Sequence, residues 1–152
     1  MPEREIPTFM VEDGHLRYLN FEGREGIYNA KGQRSFCVDL DEDVAQQMLA
    51  DGWNVRYTKA QEDGEEGIPY VNVAVGYKIR PPRIVLMTDR ARTVLDEDAV
   101  EILDGVNIKT VDLIARGREY EPGKLKAYLQ SMYITIDEDY LEKKYAIDEP
   151  ED

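Results

Sequence analysis

At 152 residues, with 42% hydrophobic and 34% charged residues, the chain can bury one core and is too apolar to be disordered throughout. No window approaches the ~18 uninterrupted apolar residues of a membrane helix, and Met1-Pro2-Glu3-Arg4-Glu5 has no apolar signal core, so a cytoplasmic protein without membrane contact is expected. The net charge of −13 opposes nucleic acid as a whole, but the charge is divided: 76–92 carries Lys78, Arg80, Arg83, Arg90 and Arg92 against Asp89, while 137–152 carries eight acids against Lys143 and Lys144.

Residues 8–13 and 15–21 read as strands punctuated by Asp13-Gly14, a strong turn pair. The glycine-rich stretch 22–32 reads as a mobile hairpin loop carrying Arg24, Tyr28 and Lys31, and leads into a strand at 33–40. Asp41 to Ala50 is a short helix: acids fill its first turn, Val44, Met48 and Leu49 recur at helical spacing, and Asp51-Gly52 closes it. A strand at 53–59 with one polar, partly basic face follows, then the acidic loop 61–67. Val71, Val73, Val75, Tyr77 and Ile79 define one face of a long strand that Pro81-Pro82 ends, before the apolar run Ile84-Val85-Leu86-Met87. Asp96 to Leu103 repeats the acidic short-helix pattern. Strands are predicted at 106–116 and 125–136 around a loop at 116–124, with a final helical piece from Tyr140 to Tyr145. Many short strands with two or three short helices predict a mainly β fold, an OB-like antiparallel barrel of five or slightly more strands over 1–136. Residues 137–152 are expected to form a short helix and an acidic C-terminal tail.

Catalytic chemistry finds little support. Cys37 alternates with apolar neighbours in a strand, and the single His15 is remote from it in sequence, so a structural thiol is expected rather than a nucleophile. Asp39-Leu40-Asp41-Glu42-Asp43 has the look of a calcium loop, but Val44 stands where glycine is needed and the closing Glu is missing; helix capping explains these acids. No phosphate loop, nucleophile elbow or paired-cysteine motif is present. The sequence therefore predicts no enzyme, no metal and no cofactor.

Cations interleave with aromatics instead. Tyr28 lies between Arg24 and Lys31, with Arg34 just beyond; Trp53 and Tyr57 flank Arg56; Tyr77 adjoins Lys78 and Arg80; Tyr120 follows Arg116 and Arg118. A cationic groove with aromatic stacking platforms is how single-stranded nucleic acid is held without reading its sequence. For each aromatic, core packing is the competing reading: strongest for Trp53, which follows a helix end, and weakest for Tyr28 and Tyr120 in loops.

The succession Asn20-Phe21-Glu22-Gly23, Tyr28-Asn29-Ala30-Lys31-Gly32-Gln33-Arg34-Ser35-Phe36-Cys37-Val38, Asp51-Gly52-Trp53-Asn54-Val55-Arg56 and Pro81-Pro82-Arg83-Ile84 resembles phage-encoded single-stranded DNA-binding proteins over roughly 15–136. The resemblance implies an OB-type core, a part in phage replication or recombination, and an acidic tail that meets replication proteins. Asp148, Glu149, Glu151 and Asp152 are the tail residues expected to do so, or to compete with DNA for the basic face. Two other readings compete: an acidic DNA mimic that blocks a host nucleic-acid-binding protein, and a virion assembly protein. A mimic needs its acids spread over one continuous face, and a virion protein leaves the basic strands unexplained. Oligomeric state and the choice between DNA and RNA are not legible.

Overall fold

The computed structural model describes residues 6–26, 30–59, 67–78, 80–88 and 91–136. The predicted tail helix at 140–145, the acidic tail and Tyr28 lie outside them. The described chain is mainly β: β1 (Thr8–Gly14), β2 (Leu16–Asn20), β3 (Arg34–Asp39), helix α1 (Glu42–Asp51), β4 (Val55–Tyr57), β5 (Pro69–Val75), β6 (Arg83–Met87), β7 (Arg92–Leu95), a 3-10 turn (Val100–Asp104), β8 (Ile108–Glu121) and β9 (Lys124–Ile136).

These nine strands form one sheet whose main path is β1-β8-β9-β5-β3-β2; β4 joins the edge of β5, and the β6–β7 hairpin joins β9. The two ends of the path are consecutive in the chain, since β1 stops at Gly14 and β2 begins at Leu16. The sheet is mixed, which corrects the antiparallel expectation: β5 and β6 both run parallel to β9, through Val73↔Ala127 and Arg83↔Ser131 respectively. Sequence alternation identifies a strand but carries nothing about the direction of its neighbour.

The Asp13-Gly14 pair makes no hairpin. β1 pairs with β8 and β2 with β3, and the register shifts between Val11 and Gly14, so the dipeptide forms a bulge at which the chain passes from one neighbour to the other. Asp13 takes φ 52° there. Gly14 lies so close to the core that a Cβ would stand 2.7 Å from Val11 Cγ1, which is why the bend takes glycine.

Helix α1 forms where predicted. Asp41 occupies the N-cap without a side-chain cap bond, so the acids Glu42 and Asp43 act through the helix dipole. Gly52 closes the helix in the left-handed region at φ 99°, and the following Trp53 N–H donates to Met48 O at 3.0 Å. The second predicted helix shrinks to the 3-10 turn, because only Val100 and Leu103 face the core. The long strand predicted to reach Ile79 stops at Val75, β4 is shorter than its predicted 53–59, and β7 was not anticipated. The predicted 116–124 loop is instead the end of a long hairpin, β8 and β9 pairing out to Glu121↔Lys124.

One core holds these parts together. Phe21 and Phe36 are fully buried and stack at 5.4 Å, joined by Val38, Val71, Val73, Val111, Leu113, Leu129, Met132 and Ile134. At ~25 cal/mol per Å² of apolar surface removed from water, such burial is the main favourable term.

Candidate nucleic-acid interface

Alternation along β5 sends Val71, Val73 and Val75 into the core and leaves Tyr70, Asn72 and Ala74 on the opposite face. Register carries that face across the neighbours: Asp39 stands opposite Tyr70, Cys37 opposite Asn72 and Ser35 opposite Ala74. Arg17 on β2 is paired with Cys37, and Arg56 on β4 with Tyr70. Ala74 also neighbours Tyr128 of β9, which pairs in turn with Arg116 of β8, and Lys126 with Arg118. A single outward face therefore brings Arg17, Arg56, Arg116, Arg118 and Lys126 together with Tyr70 and Tyr128.

Its centre is held by polar contacts. The Arg17 guanidinium donates to both carboxylate oxygens of Asp39, at 2.6 and 2.8 Å, and this pairing holds it firmly protonated. The same guanidinium lies 6.0 Å from the ring centroid of Tyr18. Tyr18 takes φ 55°, inside the register shift between Arg17 and Asn20, and is 62% exposed. Its ring meets that of Tyr70 edge to face at 5.6 Å. Asn72 Nδ2 sits 3.5 Å from Cys37 Sγ, and burial pushes the thiol's pKa up, which keeps it un-ionised and chemically quiet. On the β8–β9 side, Lys126 Nζ lies 5.4 Å from the ring centroid of Tyr128.

The residues proposed from sequence fall into distinct groups. Arg56, Arg116 and Arg118 stand on this face, and Tyr120 is 53% exposed at the hairpin end. Arg116 Nη2 donates to Arg80 O at 3.2 Å, which brings the exposed segment of Lys78 and Arg80 beside β8. Arg24 and Lys31 are exposed in the connection between β2 and β3, where Asn20 Oδ1 accepts from the N–H groups of Gly23 and Arg24.

Four others are occupied with the fold. Trp53 is buried; it meets Phe9 edge to face at 4.9 Å and covers Gly117, so the expectation that it is available to a base is corrected. Arg34 donates through Nε to Phe21 O, pairs with Glu97 at 3.2 Å and lies over the ring of Tyr77 at 5.5 Å. Tyr77 is half-buried, its hydroxyl has no hydrogen-bond partner among the described residues, and burial raises its pKa. Tyr57 is 40% exposed, but its hydroxyl donates to Glu42 Oε1 at 2.9 Å and thereby ties β4 to α1.

Sequence reading passed over Arg17, Tyr18, Tyr70, Asn72, Lys126 and Tyr128. The β5 alternation already placed Tyr70 and Asn72 opposite the valines, and that signal was sufficient for both. Tyr18 shares its side of the sheet only through a positive-φ bulge, which no pattern of side chains reveals.

The family model described as "Putative phage ssDNA-binding domain" matches residues 2–151. Among solved structures, the chain is similar to the C-terminally truncated single-stranded DNA-binding protein of bacteriophage Enc34, at 14% identity and a TM-score of 0.50, covering 86% of this chain and 87% of that one. At that identity the likeness speaks for the fold. No curated protein sequence gives a significant match. With the family model spanning nearly the whole chain, this protein belongs to the family of phage single-stranded DNA-binding proteins.

Proposed function

We propose that the chain is a non-catalytic protein that coats or presents single-stranded DNA during phage replication or recombination, in the host bacterial cytoplasm. The observation that carries this reading is the Tyr18–Tyr70 pair, set between Arg17 and Arg56 on one accessible face. The exposed ring of Tyr18 and the half-buried ring of Tyr70 offer stacking to unpaired bases, and flanking guanidiniums take the phosphates. The one acid on the outward face of β2, β3 and β5 is Asp39, already neutralised by Arg17. A DNA mimic would need the reverse.

An OB-like barrel supports the same face. Taking β1 and β2 as one bent strand, the sheet path visits β3, β5, β9 and β8 and returns to β1, which is the strand order of that fold. On this reading the loop with Arg24 and Lys31 and the β8–β9 hairpin flank the central strands, as ligand-binding loops of such barrels do. The acidic segment 137–152 then competes with DNA or recruits replication proteins.

Fluorescence anisotropy with labelled single-stranded and duplex DNA of equal length, across a salt series, tests the proposal. Tighter binding to the single strand, weakening steeply with salt, is the expected result. Equal affinity for both forms would remove the stacking model.

A further inference from the structure

Strand β7 is the outer edge of the β6–β7 hairpin, and among the described residues it pairs with β6 alone. Such an edge presents backbone donors and acceptors to any strand able to match it. The phase of the hairpin identifies which residues present them. Thr88 N–H donates to Ala91 O at 3.0 Å, making Thr88 and Ala91 a hydrogen-bonded pair. Pairs alternate along an antiparallel ladder, so Leu86–Thr93 and Ile84–Leu95 exchange bonds inside the hairpin, while Arg92 and Val94 turn their N–H and C=O groups outward. Val94 is also 58% exposed, whereas Leu95 is buried.

The sequence of this edge, Arg92-Thr93-Val94-Leu95-Asp96, is complementary to itself when reversed. We propose that β7 docks a second copy of this chain, the two β7 strands pairing antiparallel about a two-fold axis at Val94. In that register each Val94 N–H donates to the Val94 carbonyl of the second copy. Arg92 of each copy stands opposite Asp96 of the other, on the same side of the sheet as Val94. Cross-strand pairs of this kind stabilise a sheet, and the two-fold makes each one twice. The apolar contact extends inward along the row Val94, Val85, Tyr133, where Tyr133 is 36% exposed. Moving the pairing by two residues would set Arg92 against Val94 and lose both Arg92–Asp96 pairs, moving it by four would set Arg92 against Arg92, and moving it by one would set Val94 against Thr93 or Leu95, whose backbone groups face β6, so charge and backbone phase favour the register centred on Val94. The contact is a short one, below the ~1,000 Å² of a stable interface, so the dimer is concentration-dependent. β7 contributes nothing to the face that carries Tyr18 and Tyr70, and the inference does not rest on DNA binding.

Sedimentation analysis of the full chain without DNA tests it. Wild type is expected to show a reversible monomer–dimer equilibrium. Val94→Pro removes the donor at the axis, a group the β6 ladder does not use, and should abolish the dimer while the far-UV spectrum and melting profile persist. Arg92→Glu places acid opposite acid twice and should weaken association by about tenfold. Mixing Arg92→Glu with Asp96→Lys should restore it as a heterodimer. Since Asp96 Oδ1 also accepts from Ala99 N–H, Asp96→Lys is used only if its melting profile is native. A wild-type chain that stays monomeric at every concentration overturns the proposal. So does a dimer that survives both Val94→Pro and Arg92→Glu, or one that appears only after 146–152 is removed, which would make the chain's own tail the occupant of the edge.

Discussion

Tyr18 and Tyr70 do different work from Tyr57 and Trp53, although composition treats all four as equivalent aromatics. Replacing Tyr18 or Tyr70 with Ala should cost about 1–3 kcal/mol of single-strand affinity each, and less than the sum in combination, because the rings touch. Tyr57→Ala should leave affinity near wild type and lower stability slightly, since its hydroxyl serves Glu42. Anisotropy and urea midpoints on the same samples separate the two effects. The cations divide in the same way. Arg17→Ala should weaken binding and reduce the salt slope by about one unit, whereas Asp39→Asn removes the acid from that face and should strengthen binding at low salt. Unchanged affinity in Asp39→Asn would mean that the pair serves the fold alone. Burial also fixes a pH response. Cys37 and Tyr77 both have folded pKa values raised by desolvation, so the stability they lend is complete below their unfolded values and is lost as pH climbs through the raised ones. Urea midpoints should therefore fall between about pH 8 and pH 11, where thiols and phenols ionise, and Cys37→Ser should remove part of that fall.

Among the elements, α1 was legible because its acids, its 3.6-residue spacing and its terminal Gly52 all agree. β3 and β5 were legible because valine and phenylalanine alternate against polar residues. Legibility failed where partners rather than propensities decide. The end of the β8–β9 hairpin is rich in Gly, Arg and Glu and reads as loop, yet β8 and β9 hold each other in register through Glu119↔Leu125 to Glu121↔Lys124. The same dependence on partners hid the face: Arg17, Arg56 and Lys126 are distant in sequence, and only register aligns them. The hairpin is anchored by Trp53 against Gly117, where a Cβ would stand 2.7 Å from the indole Cη2 and 3.1 Å from Pro7. Gly117→Val should cost about 1–3 kcal/mol through overpacking, read as a lower urea midpoint at unchanged slope. Because Arg116 and Arg118, placed in the proposed DNA-binding face, flank Gly117, single-strand affinity should fall with it. Full stability in this variant would mean that Trp53 can move aside freely.

Over the whole molecule, a chain of net charge −13 has to approach a polyanion, and segregation of charge makes that possible. The acids of α1 and of 96–104 occupy helix starts and turns, while the strands carry Arg17, Arg56, Arg116, Arg118 and Lys126 on one face. The largest acidic block, 137–152, follows directly from β9, whose Lys126 belongs to that face. If that block visits the face, it lowers single-strand affinity by competition, and ending the chain after Tyr145 removes Asp148, Glu149, Glu151 and Asp152 without touching β9. The truncated chain should bind single-stranded DNA more tightly at low salt. The gain should shrink as salt rises, because charges farther apart than about 8–10 Å are screened at ordinary ionic strength. A gain that persists at high salt would point to direct contacts rather than to charge. No gain at any salt would exclude electrostatic competition, and a pull-down of replication proteins with full-length and truncated chains would then decide between partner recruitment and a merely solvating segment.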